Sequence, residues 1–443
     1  MLEVGNFQAK LCQGISRRSF LKAGLLTPFA LGMSGNATPQ EYGQVRARSV
    51  IVLWLWGAPS HLDTFDPKPG APVEYRGPFS TIPTRTSGMR FAELLPRLAS
   101  RSDRFAVIRV HKNFHSGHLE AGTTGLTGMP DLSAVMPNFG SILARQRGQR
   151  RLPPFIALGR GNPRDVVGVM RGYGGGTWGR SYDPFQVACT ERGEIDIPAL
   201  RLLDGLTPQH LADRRNLVQA LDRLRRQTEA GELQRWDANC RRAYELLTSP
   251  EARSALDLAG ESEQTRAAYG FTSFGQSCLL ARRLVQANVP YIQVNWSQYV
   301  EAQTPNCDFG WDTHIYNFEM LADRHCPILD RAFSALLDDL RERSLLDSTL
   351  VVAMGEFGRT PRINGQASRD HWPNVYSSIW AGAGVRGGSV VGESDRRGEE
   401  PIIDPITPLM VGATILDRAG VPSQARAELG VLPGGRVIHE LFG

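Results

Sequence analysis

The feature that most limits the fold is a series of short, uninterrupted apolar runs, each followed by turn-forming or polar residues. The first run, Arg48–Trp56, ends at Gly57-Ala58-Pro59. Comparable runs follow at 105–110, 154–158, 289–294, 349–354 and 377–381. Short apolar runs without polar alternation are typical of strands that are buried on both faces. Successive residues of the first strand should therefore pack on opposite faces of a covered sheet.

Helical patterns separate these runs, and they cover residues 91–100, 138–147, 208–247, 274–287, 317–343 and 405–418. Strands that alternate with helices indicate a mainly parallel sheet with helices on both faces. We therefore predict an α/β fold, a three-layer α/β/α sandwich. Residues 200–268 are rich in Arg, Glu, Gln and Leu at helical spacing, which predicts a helical insert.

The N-terminus carries a targeting pattern. The run Ser16-Arg17-Arg18-Ser19-Phe20-Leu21-Lys22 precedes a modest apolar stretch at 23–33 and small residues at 34–37. It resembles a twin-arginine export signal; a short amphipathic helix is the alternative. We predict a signal peptide at 1–37, a domain at 46–443, and export by the twin-arginine machinery to the periplasm or beyond. No other run approaches the ~20 apolar residues of a membrane span, so the mature chain should have none.

Composition argues against two classes of site. The chain has 50 Lys and Arg against 45 Asp and Glu, but four of those basic residues and one acidic residue lie in the first 40. The remainder is nearly balanced and lacks basic stretches interleaved with aromatic residues, so no nucleic-acid partner is expected. Five cysteines follow the leader without CxxC spacing, which argues against a disulfide framework and a thiolate zinc site.

Four segments combine acids with histidines or arginines, namely 60–69 (SHLDTFDPKP), 311–314 (WDTH), 355–361 (GEFGRTP) and 369–373 (RDHWP). The first and third directly follow predicted strands. Ligands of open α/β sheets bind outside the carboxyl ends of the strands, so the four segments could converge there. Carboxylates and imidazoles suit zinc or manganese. The candidate ligands are Asp63, Asp312, His314, Glu356, Asp370 and His371.

Other interpretations of these residues stay open. Asp66 is as well explained by capping a turn before Pro67, and Glu356 by pairing with Arg359. His210, His325 and His439 lie on helical or terminal patterns, which are typical of surface or core histidines. The G-x-G-x-x-G letters at 174–179 lack a preceding strand and a following helix, which indicates a loop. A G-x-S-x-G serine-hydrolase motif is absent from the sequence.

Several stretches of the sequence together resemble a known family. These stretches are WGAPSHLDTFDPKP, LLARRLVQANVPYIQVN, WDTH with a later NF, LLDSTLVVAMGEFGRTP, RDHWP and AGAGVRGG. The family is called domain of unknown function 1501 and is related to the alkaline phosphatase and sulfatase superfamily. The similarity spans residues 45–443. It implies an alkaline phosphatase-like fold and one or two divalent ions that polarise a phosphate or sulfate ester, with a Ser, Thr or modified Cys nucleophile at a helix start.

The superfamily pattern transfers only in part. Glu356 stands where superfamily members have Asp, and Phe357 where they have His. The segment 115–130 resembles the nucleophile region, whose register falls on His118 with Ser116 two residues earlier. The resemblance therefore makes His118 a further candidate ligand, Ser116 a candidate nucleophile and Arg359 the residue that steadies the anion. A formylglycine sulfatase is not expected, because no Cys-x-Pro-x-Arg stands there.

Three hypotheses follow. The first is an exported metal-dependent hydrolase of a small anionic ester, or of a sulfated or phosphorylated polymer, that uses water activated by the ion if Ser116 is not the nucleophile. The second is a non-catalytic binding protein that keeps the fold. The third is a partner subunit for other exported proteins, which docks through the helical insert.

Overall fold

The computed structural model describes residues 47–148, 150–159, 168–197, 249–296 and 310–443. The predicted signal peptide and most of the predicted helical insert lie outside the described residues, so those boundaries stay predictions. No helix within these ranges combines the length and the apolarity needed to cross a membrane.

The strands are β1 Ser49–Trp54, β2 Thr81–Pro83, β3 Arg90–Ala92, β4 Phe105–His111, β5 Phe155–Leu158, β6 Phe185–Cys189, β7 Ile195–Asp196, β8 Tyr291–Asn295, β9 Thr349–Met354, β10 Gly358–Arg359, β11 His371–Trp372, β12 Tyr376–Ala381 and β13 Ser389–Val391. The helices are α1 Val73–Arg76, α2 Pro96–Ala99, α3 His118–Thr127, α4 Phe139–Arg147, α5 Pro250–Leu256, α6 Glu263–Tyr269, α7 Ser273–Gln286, α8 Asn317–Met320, α9 Cys326–Glu342, α10 Pro408–Arg418 and α11 Ser423–Glu428. A π-helical turn, Leu321–His325, joins α8 to α9.

A nine-stranded sheet forms the centre of the described structure, in the order β13-β4-β12-β9-β1-β8-β5-β6-β7. Strand β12 runs antiparallel to β9 and β4, and β7 runs antiparallel to β6. The other five pairings are parallel. The prediction of a mainly parallel sheet is confirmed, and each of the six predicted strands is a member of it.

Both faces of the sheet are covered. In β1, Ile51 and Leu53 pack into one apolar cluster with side chains of α7 and α9. Val52 and Trp54 pack into a second cluster with side chains of α3, α4 and α10. Each fully buried side chain of this kind stabilises the fold by about 1.5–3 kcal/mol. The architecture is therefore the predicted three-layer α/β/α sandwich. The cysteines within the described residues, Cys189, Cys278 and Cys326, are buried and form no disulfide bond.

The helices begin where local chemistry allows. The Asn138 side chain accepts a hydrogen bond from the Gly140 amide at the start of α4, and Thr272 does the same for Gly275 at α7. The predicted helix at 91–100 is wrong over its first half, because β3 pairs there with β2 and α2 begins only at Pro96. A proline disfavours helical geometry at the preceding residue, and Leu95 has φ −122° and ψ 50°.

Helix α3 lies unusually close to β1. A Cβ atom added at Gly125 would come within 2.7 Å of the Trp54 ring, and one at Gly122 within 2.6 Å of the Trp56 ring. Two glycines therefore let the helix approach the two tryptophans. This close packing fixes the first residue of α3, His118, near the carboxyl end of β1.

Candidate metal centre

Four side chains converge beyond the carboxyl ends of the central strands. They are His118, Asp312, His314 and His371, and one potential ligand atom from each lies within 4.8 Å of the others. His118 begins α3 shortly after β4, and His371 lies in β11. Asp312 and His314 come from the segment that begins at Gly310, where the Trp311 amide donates to the Trp56 carbonyl 2.9 Å away. Strand-end loops therefore build the cluster, as the fold class predicts.

A single carboxylate oxygen lies at the centre of the cluster. Asp312 Oδ1 is 3.1 Å from Nε2 of His118, 2.9 Å from Nε2 of His314 and 3.2 Å from Nε2 of His371. It also accepts a hydrogen bond from Nη2 of Arg359 at 2.7 Å. Burial raises the pKa of Asp312, but Arg359 and the three histidines outweigh burial and hold that pKa far below its usual range. Asp312 is therefore ionised.

Each imidazole is also held by its other nitrogen. The three Nδ1 atoms contact oxygen acceptors, and the pairs are His118 with Glu356 Oε1 at 2.6 Å, His314 with Asp370 Oδ1 at 2.8 Å, and His371 with the Ser116 carbonyl at 2.7 Å. A carboxylate or a carbonyl only accepts, so each Nδ1 donates its proton to that oxygen. Nε2 then faces the cluster. Partners of this kind orient the histidine ligands of metal sites.

The three histidines of the cluster differ in the direction of their pKa shifts. Burial lowers the pKa of His118, but its contacts with Asp312 and Glu356 outweigh burial and raise the pKa to about 9. The hydrogen bond to Asp312 is the main cause of the raised pKa of His314, whereas burial lowers the pKa of His371. The Nε2 atoms of His314 and His371 are 2.9 Å apart, within hydrogen-bond distance of each other.

The donor set fits a divalent ion. Three imidazole nitrogens and one carboxylate oxygen are zinc-type ligands, and in a tetrahedral site with metal–ligand bonds of ~2.0–2.1 Å they would lie about 3.3 Å apart. The contacts around Asp312 Oδ1 span 2.9 to 3.2 Å, and all four ligand atoms lie within 4.8 Å of one another, so they are close enough to bind one ion together. His118 Nε2 is buried and lies 3.1 Å from Asp312 Oδ1, so it is placed to bind an ion together with that carboxylate.

The cluster is open to solvent on one side. The side chain of His118 is 5% exposed and that of Asp312 is 12% exposed, but His314 reaches 38% and its partner Asp370 reaches 51%. Structural zinc sites are closed by their ligands, whereas catalytic sites keep a position accessible. The gradient of exposure therefore places the accessible side next to His314 and Asp370.

Hydrogen bonds join the loop after β1 to Glu356 and Arg359, which lie before and in β10 next to the cluster. Gly57 and Ala58 have φ of 100° and 68°, a tight left-handed turn. In this turn the Gly57 amide donates to Glu356 Oε1 at 2.9 Å, and the Gly57 and Ala58 carbonyls accept from the Arg359 guanidinium. The buried turn therefore positions both Glu356, which holds His118, and Arg359, which holds Asp312.

The structure places the other predicted site residues around the cluster or away from it. Glu356 and Asp370 contact the outer nitrogens of two histidines, as described above. Ser116 contributes its backbone carbonyl, and its residue is exposed. Arg359 is fully buried. Asp66 pairs with Lys68 at 3.1 Å and with Arg109 at 3.3 Å.

Asp63 is not brought to the cluster. Its oxygens accept from Nε of Arg369 at 2.6 Å and from Nη2 at 3.1 Å, and both side chains are completely buried. Arg369 also donates to the carbonyls of Thr360, Pro361 and Tyr75. A bidentate pair of this kind leaves Asp63 committed to Arg369.

Sequence reasoning missed two residues that support the site, Asn113 and Arg369. The buried Asn113 amide donates to the Glu356 carbonyl at 2.7 Å and to the Ala121 carbonyl at 3.0 Å, so it ties α3 to the residue after β9. Its one signal in the sequence is its place just after a buried strand. Phe357, where the superfamily has histidine, packs against the rings of both His118 and His371, with centroids at 4.9 and 4.8 Å.

Three solved structures illustrate what this chain is similar to. A phosphonate monoester hydrolase from Silicibacter pomeroyi is 13% identical, with 90% of this chain and 76% of that chain covered and a TM-score of 0.39. An alkaline phosphatase from the Antarctic bacterium TAB5 is 11% identical, with 84% and 98% covered and a TM-score of 0.37. Ps i-CgsB in complex with k-i-k-neocarrahexaose is 10% identical, with 88% and 75% covered and a TM-score of 0.41. Such low scores give no information about the activity of this chain.

No curated protein matches the chain by sequence. A family model described as "Protein of unknown function (DUF1501)" matches residues 47–435, which is most of the chain and includes every residue of the cluster. The resemblance expected from the sequence motifs is thereby confirmed: the chain belongs to the DUF1501 family.

Proposed function

We propose that the chain is an exported, metal-dependent hydrolase of phosphate or sulfate esters. The observation that carries this proposal is the convergence of three imidazole Nε2 atoms on the ionised Asp312, with each Nδ1 already held by an acceptor. The nitrogen-rich set favours zinc, with manganese as the second candidate, over magnesium or calcium. The solvent-accessible side beside His314 supports a catalytic role over a purely structural one.

The residues of the chain have separable tasks in this proposal. When bound, a divalent ion supplies a Lewis acid for the ester oxygen and lowers the pKa of water. His118, His314, His371 and Asp312 hold the ion. Glu356 and Asp370 keep two of the imidazoles oriented. We assign Arg359 to holding Asp312, since the buried guanidinium donates to that carboxylate and to backbone carbonyls.

The test combines metal content with turnover. Full-length protein from metal-replete cells is analysed by elemental mass spectrometry and assayed with aryl phosphate, aryl sulfate and phosphodiester substrates. We expect stoichiometric zinc or manganese and hydrolysis of at least one ester class. His314→Ala should lose both, whereas His439→Ala, an exposed histidine outside the cluster, should lose neither. Folded protein without ion and without hydrolysis would refute the proposal.

A non-catalytic binding protein is the second candidate, and one observation favours it. Ser116, the candidate nucleophile, contacts the cluster through its backbone carbonyl, which accepts from Nδ1 of His371. Stoichiometric ion with no turnover of any ester would support this function. The partner-subunit hypothesis depends on the predicted helical insert at 200–268, of which residues 200–248 lie outside the described part of the chain.

Export by the twin-arginine route is proposed from the sequence alone. Because the receptor reads the arginine pair, Arg17→Lys with Arg18→Lys should leave the folded precursor in the cytoplasm. Cell fractionation with an antibody to the folded domain measures this. Unchanged export of the double variant would remove the localisation proposal without affecting the proposed chemistry.

A further inference from the structure

The number of ions depends on which acids near the cluster are still available to bind one. We propose that the site holds a single divalent ion and that the Arg359 guanidinium supplies the second positive charge beside Asp312. This inference rests on the proposed metal-dependent function, and it decides between the one ion and the two ions that the sequence leaves open.

The first acid that a second ion would need is already neutralised. Asp63 binds Arg369 through both of its oxygens, and neither side chain is exposed to solvent. Nη1 and Nη2 of Arg369 donate in addition to three backbone carbonyls. An ion could recruit Asp63 only by displacing this guanidinium, which would leave a buried, uncompensated charge and several unpaired carbonyls.

The other nearby acids are also engaged. Glu356 Oε1 accepts from His118 Nδ1 and from the Gly57 amide, and Asp370 Oδ1 accepts from His314 Nδ1. Around the cluster, within the described residues, Glu356 Oε2 is the buried carboxylate oxygen left without a partner, and Asp370 is half exposed. Together these two acids offer fewer than the three or four protein ligands that a zinc-type ion takes.

Arg359 is a fixed cation at the place where a second ion would share Asp312. Its Nη2 lies 2.7 Å from the same Oδ1 that the three imidazoles surround. Its Nε donates to the Ala58 carbonyl at 3.1 Å, and Nη2 donates to the Gly57 and Trp311 carbonyls. Because the side chain is fully buried and tethered by these bonds, its charge repels a second dication and stays in place during substrate binding.

Metal titration tests the stoichiometry directly. The full-length chain is stripped with a chelator and titrated with Co²⁺, followed by its visible absorption, and with Zn²⁺ by calorimetry. We expect one ion per chain. The Asp63→Asn variant should also bind one ion with a wild-type Kd, whereas His314→Ala should weaken Kd by about 100-fold or more.

Two ions of comparable affinity per chain would overturn the single-ion inference. That outcome is distinct from failure of the proposed function. A chain that binds no ion refutes the proposed function together with this inference, whereas a chain that binds two ions and hydrolyses esters refutes this inference alone.

The role of Arg359 is tested by removing or keeping its charge. In Arg359→Gln we expect kcat to fall by on the order of 100-fold while the Co²⁺ stoichiometry stays at one. Arg359→Lys keeps the charge and should retain more of kcat than the Gln variant. Circular dichroism verifies that each variant is folded. If Arg359→Gln does not fold, Arg359→Lys decides the question, and a folded Lys variant that binds one ion and keeps substantial kcat supports the proposal. Wild-type kcat in folded Arg359→Gln, or a folded Lys variant without kcat, would overturn it.

Discussion

In the proposed metal centre, the residues that stabilise the fold are separate from those that would bind the ion, and two substitutions test this. Asp63→Asn keeps the size of the side chain but leaves Arg369 as a buried, uncompensated cation. Removing one partner of a buried ion pair costs about 3–5 kcal/mol. His314→Ala removes a side chain that is 38% exposed, so its effect on the stability of the ion-free protein should stay within about 1 kcal/mol.

The expected change in melting temperature follows from the size of the domain. An unfolding entropy of about 2.1 cal/mol/K per residue gives about 0.8 kcal/mol/K for roughly 400 residues. The melting temperature of Asp63→Asn should therefore fall by about 4–6 °C. Calorimetry in the presence of a chelator measures this loss without any contribution from the ion. In parallel, elemental analysis should find a normal ion content in Asp63→Asn and a depleted one in His314→Ala.

The reverse pattern would refute this reasoning. If Asp63→Asn loses the ion while its melting temperature is unchanged, then Asp63 is a ligand and its pairing with Arg369 does not persist in the loaded protein. His439→Ala is the matched control for both measurements, because that histidine is exposed and lies outside the cluster. It should change neither quantity.

Three further predictions concern pH, packing and the support of the site. The pKa of His118 is raised from 6.5 to about 9, so its stabilising effect on the ion-free protein is complete below pH 6.5 and is lost as pH rises through 9. An ion must displace this proton, so ion affinity should rise over the same pH range by up to about tenfold per pH unit. Metal titrations at several pH values measure this. Gly125→Ala should destabilise the fold by about 1–2 kcal/mol in urea unfolding, because the clash with the Trp54 ring exceeds the gain in helix propensity. His325→Ala should cost about 2–5 kcal/mol and also weaken ion binding, because the buried ring packs 4.8 Å from Trp311, next to Asp312; a wild-type Kd for Zn²⁺ would contradict the second part.

The sheet could be predicted because a strand that is buried on both faces consists of apolar or small residues throughout, and this is visible in the local sequence. In β1 each residue is apolar or small and each is buried, so the pattern needs no knowledge of distant partners. The short elements were harder, because apolar residues spaced three or four apart suit a helix and also a bent edge strand. The 91–100 segment shows this: Phe91 and Leu95 pack in the core, but β3 pairs with β2 and Pro96 delays the helix.

The site was predictable in its location and less so in its pairings. Strand-end topology brings Asp312, His314 and His371 together, and acid and histidine residues after strands can be found by inspection. Which acid reaches which cation depends on tertiary packing. Asp63 and Arg369 are 306 residues apart in sequence, and no local pattern distinguishes a carboxylate that faces an ion from one that faces a guanidinium.

The same pairings explain how the cluster can keep its shape without an ion. Each imidazole donates its Nδ1 proton to an acceptor outside the cluster, and the three acceptors are Glu356, Asp370 and the Ser116 carbonyl. On the side of the rings that faces Asp312, the Arg359 guanidinium and the proton on His118 neutralise the charge of the Asp312 carboxylate. In the proposed metal centre, ion binding requires the protons on the Nε2 atoms that face Asp312 to leave, first of all the proton on His118. The accessible side beside His314 would give an ion a route into the folded protein, so we expect folding and ion binding to be separate steps. A chelator should therefore remove the ion while leaving the far-ultraviolet circular dichroism of the domain unchanged.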